Sequence, residues 1–250
     1  VLMQQNPTKS KSARDCLNRI VQSISFNLND EELDILIKAT ISKDPLVRTT
    51  LLELIDDELE LSELGYSSEL WIEKFDQEQV NVELANSIWE ENELSINDET
   101  PAKLIPFLEA EHAPLRRSAA AALAAAVQAL PGSFGKVYSA LVDLFLEKSK
   151  PPVPIKDKFG MVVKASFDQP DPSEARNGVA YAFQELAPQF DLETVSKFFS
   201  FLIDGLALGD KNAGVRIEIQ RAGMAVIQHH GVKTVETLIP IFEEYLSKPS

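Results

Sequence analysis

Apolar residues recur three and four positions apart along almost the whole chain, and stretches alternating apolar with polar residues are scarce. That spacing lines up one face of an α-helix and leaves the other to water. Leu17, Ile20, Val21 and Ile24 share a face of a helix predicted over 13–26, and Asn29 with Asp30 reads as the cap of a second over 31–41. In Lys43-Asp44-Pro45-Leu46-Val47-Arg48, Asp44 can accept an orphan amide, and Pro45 suits an opening position where no N–H is needed. Leu51, Leu52 and Ile55 carry the apolar stripe onward, so this punctuation predicts a tight turn between antiparallel helices.

Variants of the turn return downstream. Glu111-His112-Ala113-Pro114-Leu115-Arg116-Arg117 precedes an alanine-rich helix, Pro170-Asp171-Pro172-Ser173-Glu174-Ala175-Arg176 precedes one over 179–186, and Asn212-Ala213-Gly214-Val215-Arg216 precedes one over 219–227. Gln79-Val80-Asn81-Val82-Glu83 is a weaker copy, opening a helix that ends near Trp89. With Arg48, Glu83, Arg116, Arg176 and Arg216 as register marks, the intervals are 35, 33, 60 and 40 residues. The surplus falls at 150–171, where Pro151, Pro152, Pro154, Pro170 and Pro172 bracket a stretch without helical pattern, which reads as an inserted loop. A helix pair cannot bury its own apolar face, so repeats of roughly 40 residues must stack on their neighbours. The predicted fold is all-α: an α-solenoid, or α-α superhelix, of about five to six antiparallel pairs, running as one segment over 1–250.

Composition removes several function classes. With 24 Lys plus Arg against 39 Asp plus Glu, the net charge of −15 opposes broad binding to DNA or an anionic membrane. The longest apolar run, over 119–127, is far short of the roughly 20 residues that span a bilayer. One cysteine, Cys16, and three histidines leave no basis for an internal disulfide or a thiolate metal centre, and a reducing, cytoplasmic setting is expected. Helical patterning close to both ends suits a segment of a longer protein.

The Asp-Pro-x-Val-Arg type of turn and the repeat length resemble the HEAT-repeat family. Two stretches are more specific: Thr100-Pro101-Ala102-Lys103-Leu104-Ile105-Pro106-Phe107-Leu108 running into Leu115-Arg116-Arg117-Ser118-Ala119-Ala120, and Pro152-Val153-Pro154-Ile155-Lys156-Asp157-Lys158-Phe159-Gly160 running into Asp171-Pro172-Ser173-Glu174-Ala175-Arg176-Asn177-Gly178-Val179-Ala180. With Ser87-Ile88-Trp89-Glu90-Glu91-Asn92, they resemble the central region of the general control non-derepressible activator family, over about residues 80 to 250. That resemblance implies a very large cytosolic scaffold that associates with ribosomes, through protein and ribosomal RNA. It further implies help in activating the starvation-responsive kinase of initiation factor two alpha, together with an ABC-type ATPase cofactor protein. The family's kinase-docking segment lies nearer the C-terminus of the long chain, so the kinase is expected to be reached through the full-length protein. The rival reading is a generic HEAT adaptor, such as a nuclear transport receptor or phosphatase scaffold, that grips basic partners.

Charge supplies the candidate sites. Residues 1–100 hold 8 basic against 22 acidic side chains, whereas 101–250 hold 16 against 17. The densest acidic run, from Asp56 to Glu63 and on through Glu69, Glu73, Asp76 and Glu78, reads mainly as solvated helix faces able to attract a basic protein. Lys148, Lys150, Lys156, Lys158 and Lys164 instead make a locally positive stretch around the inserted loop, the best candidate ribosome or partner contact. Arg48, Arg116, Arg176 and Arg216 open second helices, where the macrodipole disfavours cations, so they need acceptors. By resemblance to HEAT repeats they are expected to form an inter-repeat ladder, with Asp44 and Asp171 as candidate acceptors.

No catalytic constellation emerges. Gly132-Ser133-Phe134-Gly135-Lys136-Val137 has the wrong glycine spacing for a phosphate loop and lacks the hydroxyl that follows its lysine. His229 and His230 are adjacent, point about 100° apart on a helix, and are expected near a helix end before Gly231. No enzyme, no metal and no cofactor are expected.

Overall fold

The computed structural model describes residues 11–12, 15–16, 19, 29–61, 63–151, 154, 158–159, 161–162, 170–205 and 207–247. The helix expected over 13–26 lies largely outside them. The chain divides into two compact units, Val1–Phe107 with His112–Leu130, and Leu108–Glu111 with Pro131–Ser250.

In the first unit α1 (Asp30–Thr40) opens on a capping box, the Asn29 side chain accepting from the Glu32 amide at 3.0 Å while Glu32 accepts from the Asn29 amide at 3.1 Å. α2 (Pro45–Glu58) begins with proline after the Asp44 cap, whose carboxylate accepts from the Leu46 amide at 3.0 Å. α3 (Ser68–Glu73) and α4 (Gln79–Glu91) form the next pair, and α5 (Thr100–Leu104) with α6 (Ala113–Ala129) the third. Within pairs α1 packs on α2, α3 on α4 and α5 on α6; between pairs α1, α3 and α5 meet in sequence and α2 meets α4. The seam is filled by Leu52, Ile55, Leu61, Leu70, Ile88, Trp89 and Leu94. Alanines at 119, 120, 122, 124 and 126 are buried, and their small face lets α3 come close enough for the Trp71 indole N–H to donate to the Ala122 carbonyl at 3.0 Å. Trp71 packs on Trp89 with ring centroids 5.1 Å apart, so both tryptophans serve the interior.

The second unit holds α7 (Phe134–Ser149), α8 (Ser173–Leu186), α9 (Leu192–Asp204) and α10 (Ala213–Ser247). α7 packs on α8, α9 on α10 and α8 on α10. Its core is aromatic: Phe183 lies 5.1 Å from Phe198 and 5.8 Å from Tyr138, and Phe145 meets Phe201 edge-on at 5.4 Å. At Gly178 in α8 an added Cβ would fall 1.9 Å from the Leu108 carbonyl oxygen, so only glycine admits that backbone.

All described elements are helical, arranged in five antiparallel pairs as the apolar period implies. One expectation is corrected. His229 and His230 do not lie at a helix end; α10 runs on through them to Ser247. Gly231 does not take the positive φ of a helix stop. The ring of His230 instead bonds the Ala187 carbonyl through Nε2 at 2.7 Å, tying mid-helix to the connection that follows α8.

Candidate functional site

The turns before α2 and α8 hold the most constrained polar chemistry in the two units. Arg48 stands one turn into α2 and is buried. Its Nη1 donates to the Ser42 carbonyl at 2.9 Å, while Nε and Nη2 fork onto Asp76 at 2.5 and 2.9 Å. Asp76 belongs to the turn before α4, so this guanidinium joins one repeat to the next. Asp76 also accepts from the Glu78 amide and from the Asn81 side chain, both at 2.9 Å, and Asn81 in turn accepts from the Thr49 hydroxyl at 2.6 Å. Although burial pushes the Asp76 carboxyl up, its bonds from Arg48, Glu73, the Glu78 amide and Asn81 win and bring it down to about 2. Glu73 behaves oppositely. It is 2% exposed and lies 3.8 Å from Arg48, beside a cavity of about 10 Å³ shared with Asp76, His112 and Ser118. Burial, then the bond to Asp76 and its charge, raise the Glu73 carboxyl to about 9 against the weaker pull of Arg48.

The second turn repeats the plan more completely. Arg176 is fully buried and all five of its N–H groups are used. Nε and Nη2 bond Asp210 at 2.7 and 3.0 Å, Nη1 and Nη2 bond Asp171 at 2.9 Å each, and Nη1 also reaches the Lys148 carbonyl at 2.8 Å. The last turn of α7 and the segments that open α8 and α10 meet at one side chain. Hydrogen bonding to Arg176, against slight burial and with help from Lys211, lowers the Asp171 carboxyl. Asp210 mirrors Asp76: each also accepts from the backbone amide two residues on.

The remaining ladder candidates are placed differently. Arg216 donates to the carbonyls of Asp210 and Lys211 at 2.6 and 3.3 Å, within its own turn. Arg116 is 5% exposed in α6. The Asp44 carboxylate caps α2, while the carboxylate that Arg48 meets is Asp76, because a fork aimed out of the turn reaches the neighbouring repeat. Glu83, the register mark in α4, is exposed; the buried polar residue there is Asn81. Asp76 and Asp210 escape a reading of the sequence alone, although both stand in a turn that opens a second helix.

The candidate contact lysines are only partly covered. Lys148 is half-buried and paired with Glu109 at 2.5 Å, Lys150 is the exposed cap of α7, and Lys158 stands 5.1 Å over the exposed Phe159 ring. Lys156 and Lys164 lie outside the described residues.

Residues 55–250 match the model of a family described as stalled ribosome sensor GCN1, HEAT repeats. The chain belongs to that family. It is 38% identical over 248 residues to the eIF-2-alpha kinase activator GCN1 of Saccharomyces cerevisiae, covering 96% of this chain and 9% of that protein. It is 32% identical over 225 residues to the human stalled ribosome sensor GCN1, covering 86% and 8%, and 28% identical over 184 residues to the Arabidopsis thaliana protein ILITYHIA, covering 73% and 6%. The chain thus spans less than a tenth of the length of these relatives. Likeness to the family reaches further toward the N-terminus than residues 80 to 250, starting at 55 in the family match. No solved structure matches the chain. No helix among the described residues is long and apolar enough to cross a membrane.

Proposed function

We propose that the chain is a non-catalytic scaffold segment of a longer, cytoplasmic, ribosome-associated translational regulator that promotes activation of the initiation factor two alpha kinase. The observation that carries this reading is the family match over residues 55–250, on a fold of stacked helix pairs whose turns are pinned by buried arginines. Stacked pairs hold surfaces at fixed separations, which is what bridging a ribosome to a kinase requires. In this reading Arg48 and Arg176, which clasp Asp76 and Asp210 across neighbouring repeats, form the ladder that sets those separations, while Asp44, Asp171 and Arg216 hold their own turns; these residues, with Arg116, touch no partner. The lysine-rich stretch through Lys148, Lys150, Lys156, Lys158 and Lys164 meets the ribosome, including its RNA, while the kinase and an ABC-type ATPase cofactor protein are engaged by the full-length protein.

Cosedimentation with ribosomes at low and high salt, comparing the intact chain with one lacking 155–168, tests the reading. Binding that weakens with salt and with Lys156→Glu/Lys158→Glu supports it. Binding unchanged by the double reversal would remove the loop as an RNA contact, and no cosedimentation at any salt would remove the segment from the ribosome.

A further inference from the structure

The first unit carries a groove that the scaffold role leaves unused. It has a volume of about 810 Å³, inside the range of roughly 300–1,000 Å³ typical of binding pockets. One wall is a single face of α1, where Leu33 and Ile37 stand one turn apart; the other is the segment after α2, with Leu61, Leu64 and Tyr66. These side chains continue the interior seam, and Leu33, Leu64 and Tyr66 remain only partly buried. Carboxylates flank this apolar floor from both walls: Asp30 and Asp34 on α1, Glu60, Glu63 and Glu69 opposite. Among the described residues Lys103 is the one cation of the lining, and it is engaged by Glu99 at 2.9 Å and lies 5.7 Å from the Tyr66 ring.

We infer that this groove docks an amphipathic helical segment of a partner protein, with an apolar stripe on the floor and lysines or arginines along both edges. Each half of that chemistry is demanded by the site. An apolar floor continuous with the core rewards a matching stripe, in the manner of helix-in-groove recognition. Of the five carboxylates Asp34 is already paired with Lys38 at 2.6 Å, and the excess of acid over the Lys103 ammonium that remains favours a basic partner and steers its approach. RNA is disfavoured by the same charges. The inference is independent of the ribosome contact, which is placed on the lysine-rich stretch of the other unit, so the two can fail separately.

The probe is a fluorescein-labelled synthetic helix of about 18 residues, long enough to hold helical structure, with leucines at i, i+3, i+4 and i+7 spacing and lysines elsewhere. Its binding to the 250-residue chain is followed by anisotropy, alongside a peptide of the same composition with the stripe scrambled. The striped peptide is expected to bind at least about tenfold more tightly than the scrambled one. An Asp34→Lys/Glu63→Lys/Glu69→Lys variant is expected to lose about tenfold or more, while Glu83→Lys/Glu91→Lys/Asp98→Lys, of equal charge change elsewhere in the unit, loses far less. Melting of both variants is checked first, and hydrogen exchange is expected to show protection on 30–37 and 60–69. Equal affinity for both peptides, or equal loss in both variants, would reduce the effect to diffuse charge and overturn the proposal. Self-association abolished by the groove variant would make the occupant a second copy, and probe binding tightened by Arg14→Glu/Arg19→Glu would make it the chain's own opening stretch; either result overturns it as well.

Discussion

Glu73→Gln is expected to stabilise the protein near neutral pH, although the carboxyl it replaces sits beside an arginine. In the folded chain this carboxyl is held up to about 9 by burial and by Asp76, whereas an unfolded chain gives it the ordinary 4.5. Between those values the folded state carries a proton that the unfolded state has shed, so the Glu73 contribution is most favourable below pH 4.5 and is lost steadily as pH rises toward 9. At about 1.4 kcal/mol per pH unit, the cost at pH 7 is roughly 3 kcal/mol, an upper bound because the site can relax. Glutamine fills the same space, needs no proton and can still donate to Asp76. Urea unfolding followed by circular dichroism should show the variant more stable by roughly 1–3 kcal/mol at pH 7 to 8, with an advantage that grows from pH 5 to 9 and vanishes toward pH 4.5. Arg48, Asp76 and His112 face the same cavity but are common to both proteins, and the depressed Asp76 titrates well below this window. A difference that stays flat from pH 5 to 9, or a variant less stable at pH 8, would refute the reasoning.

Arg176→Ala leaves Asp210 buried without its guanidinium and is expected to cost roughly 3–5 kcal/mol, read as a lowered denaturant midpoint. Asp210→Asn in that background should recover part of the loss, because the orphaned charge is then gone. Gly178→Ala drives a methyl into the Leu108 carbonyl and should cost about 1–3 kcal/mol or more, whereas alanine at the neighbouring exposed Glu174 should change melting little.

Much of the helix layout is legible in the sequence because local chemistry dictates it. Asn29 and Asp44 are short side chains placed to accept amides, Pro45 follows at a position that suits it, and the apolar period marks which faces meet. The turn arginines are legible for the same reason, since a cation one turn into a helix needs acceptors. Their acceptors are less so. Asp76 and Asp210 lie 28 and 34 residues beyond the arginines they bind, and only stacking brings those turns together. Glu73 reads as part of a solvated acidic run, yet it follows the buried Leu70 by three positions, the spacing that places it on the inward face. At His229 and His230 a following glycine suggests a stop, but this kind of stop needs the chain to turn to positive φ, and Gly231 does not.

The five bonds of Arg176 have a mechanical consequence. In a row of repeats that touch only their neighbours, each pair could loosen on its own, and opening would spread one step at a time. A single guanidinium clasping Lys148, Asp171 and Asp210 limits that freedom, because releasing any one of them leaves buried N–H groups without an acceptor and so penalises opening at the place all three share. The stretch from α7 to α10 is therefore built to yield all at once, and a pull on either end would be carried through it as through a rivet rather than absorbed as through a spring.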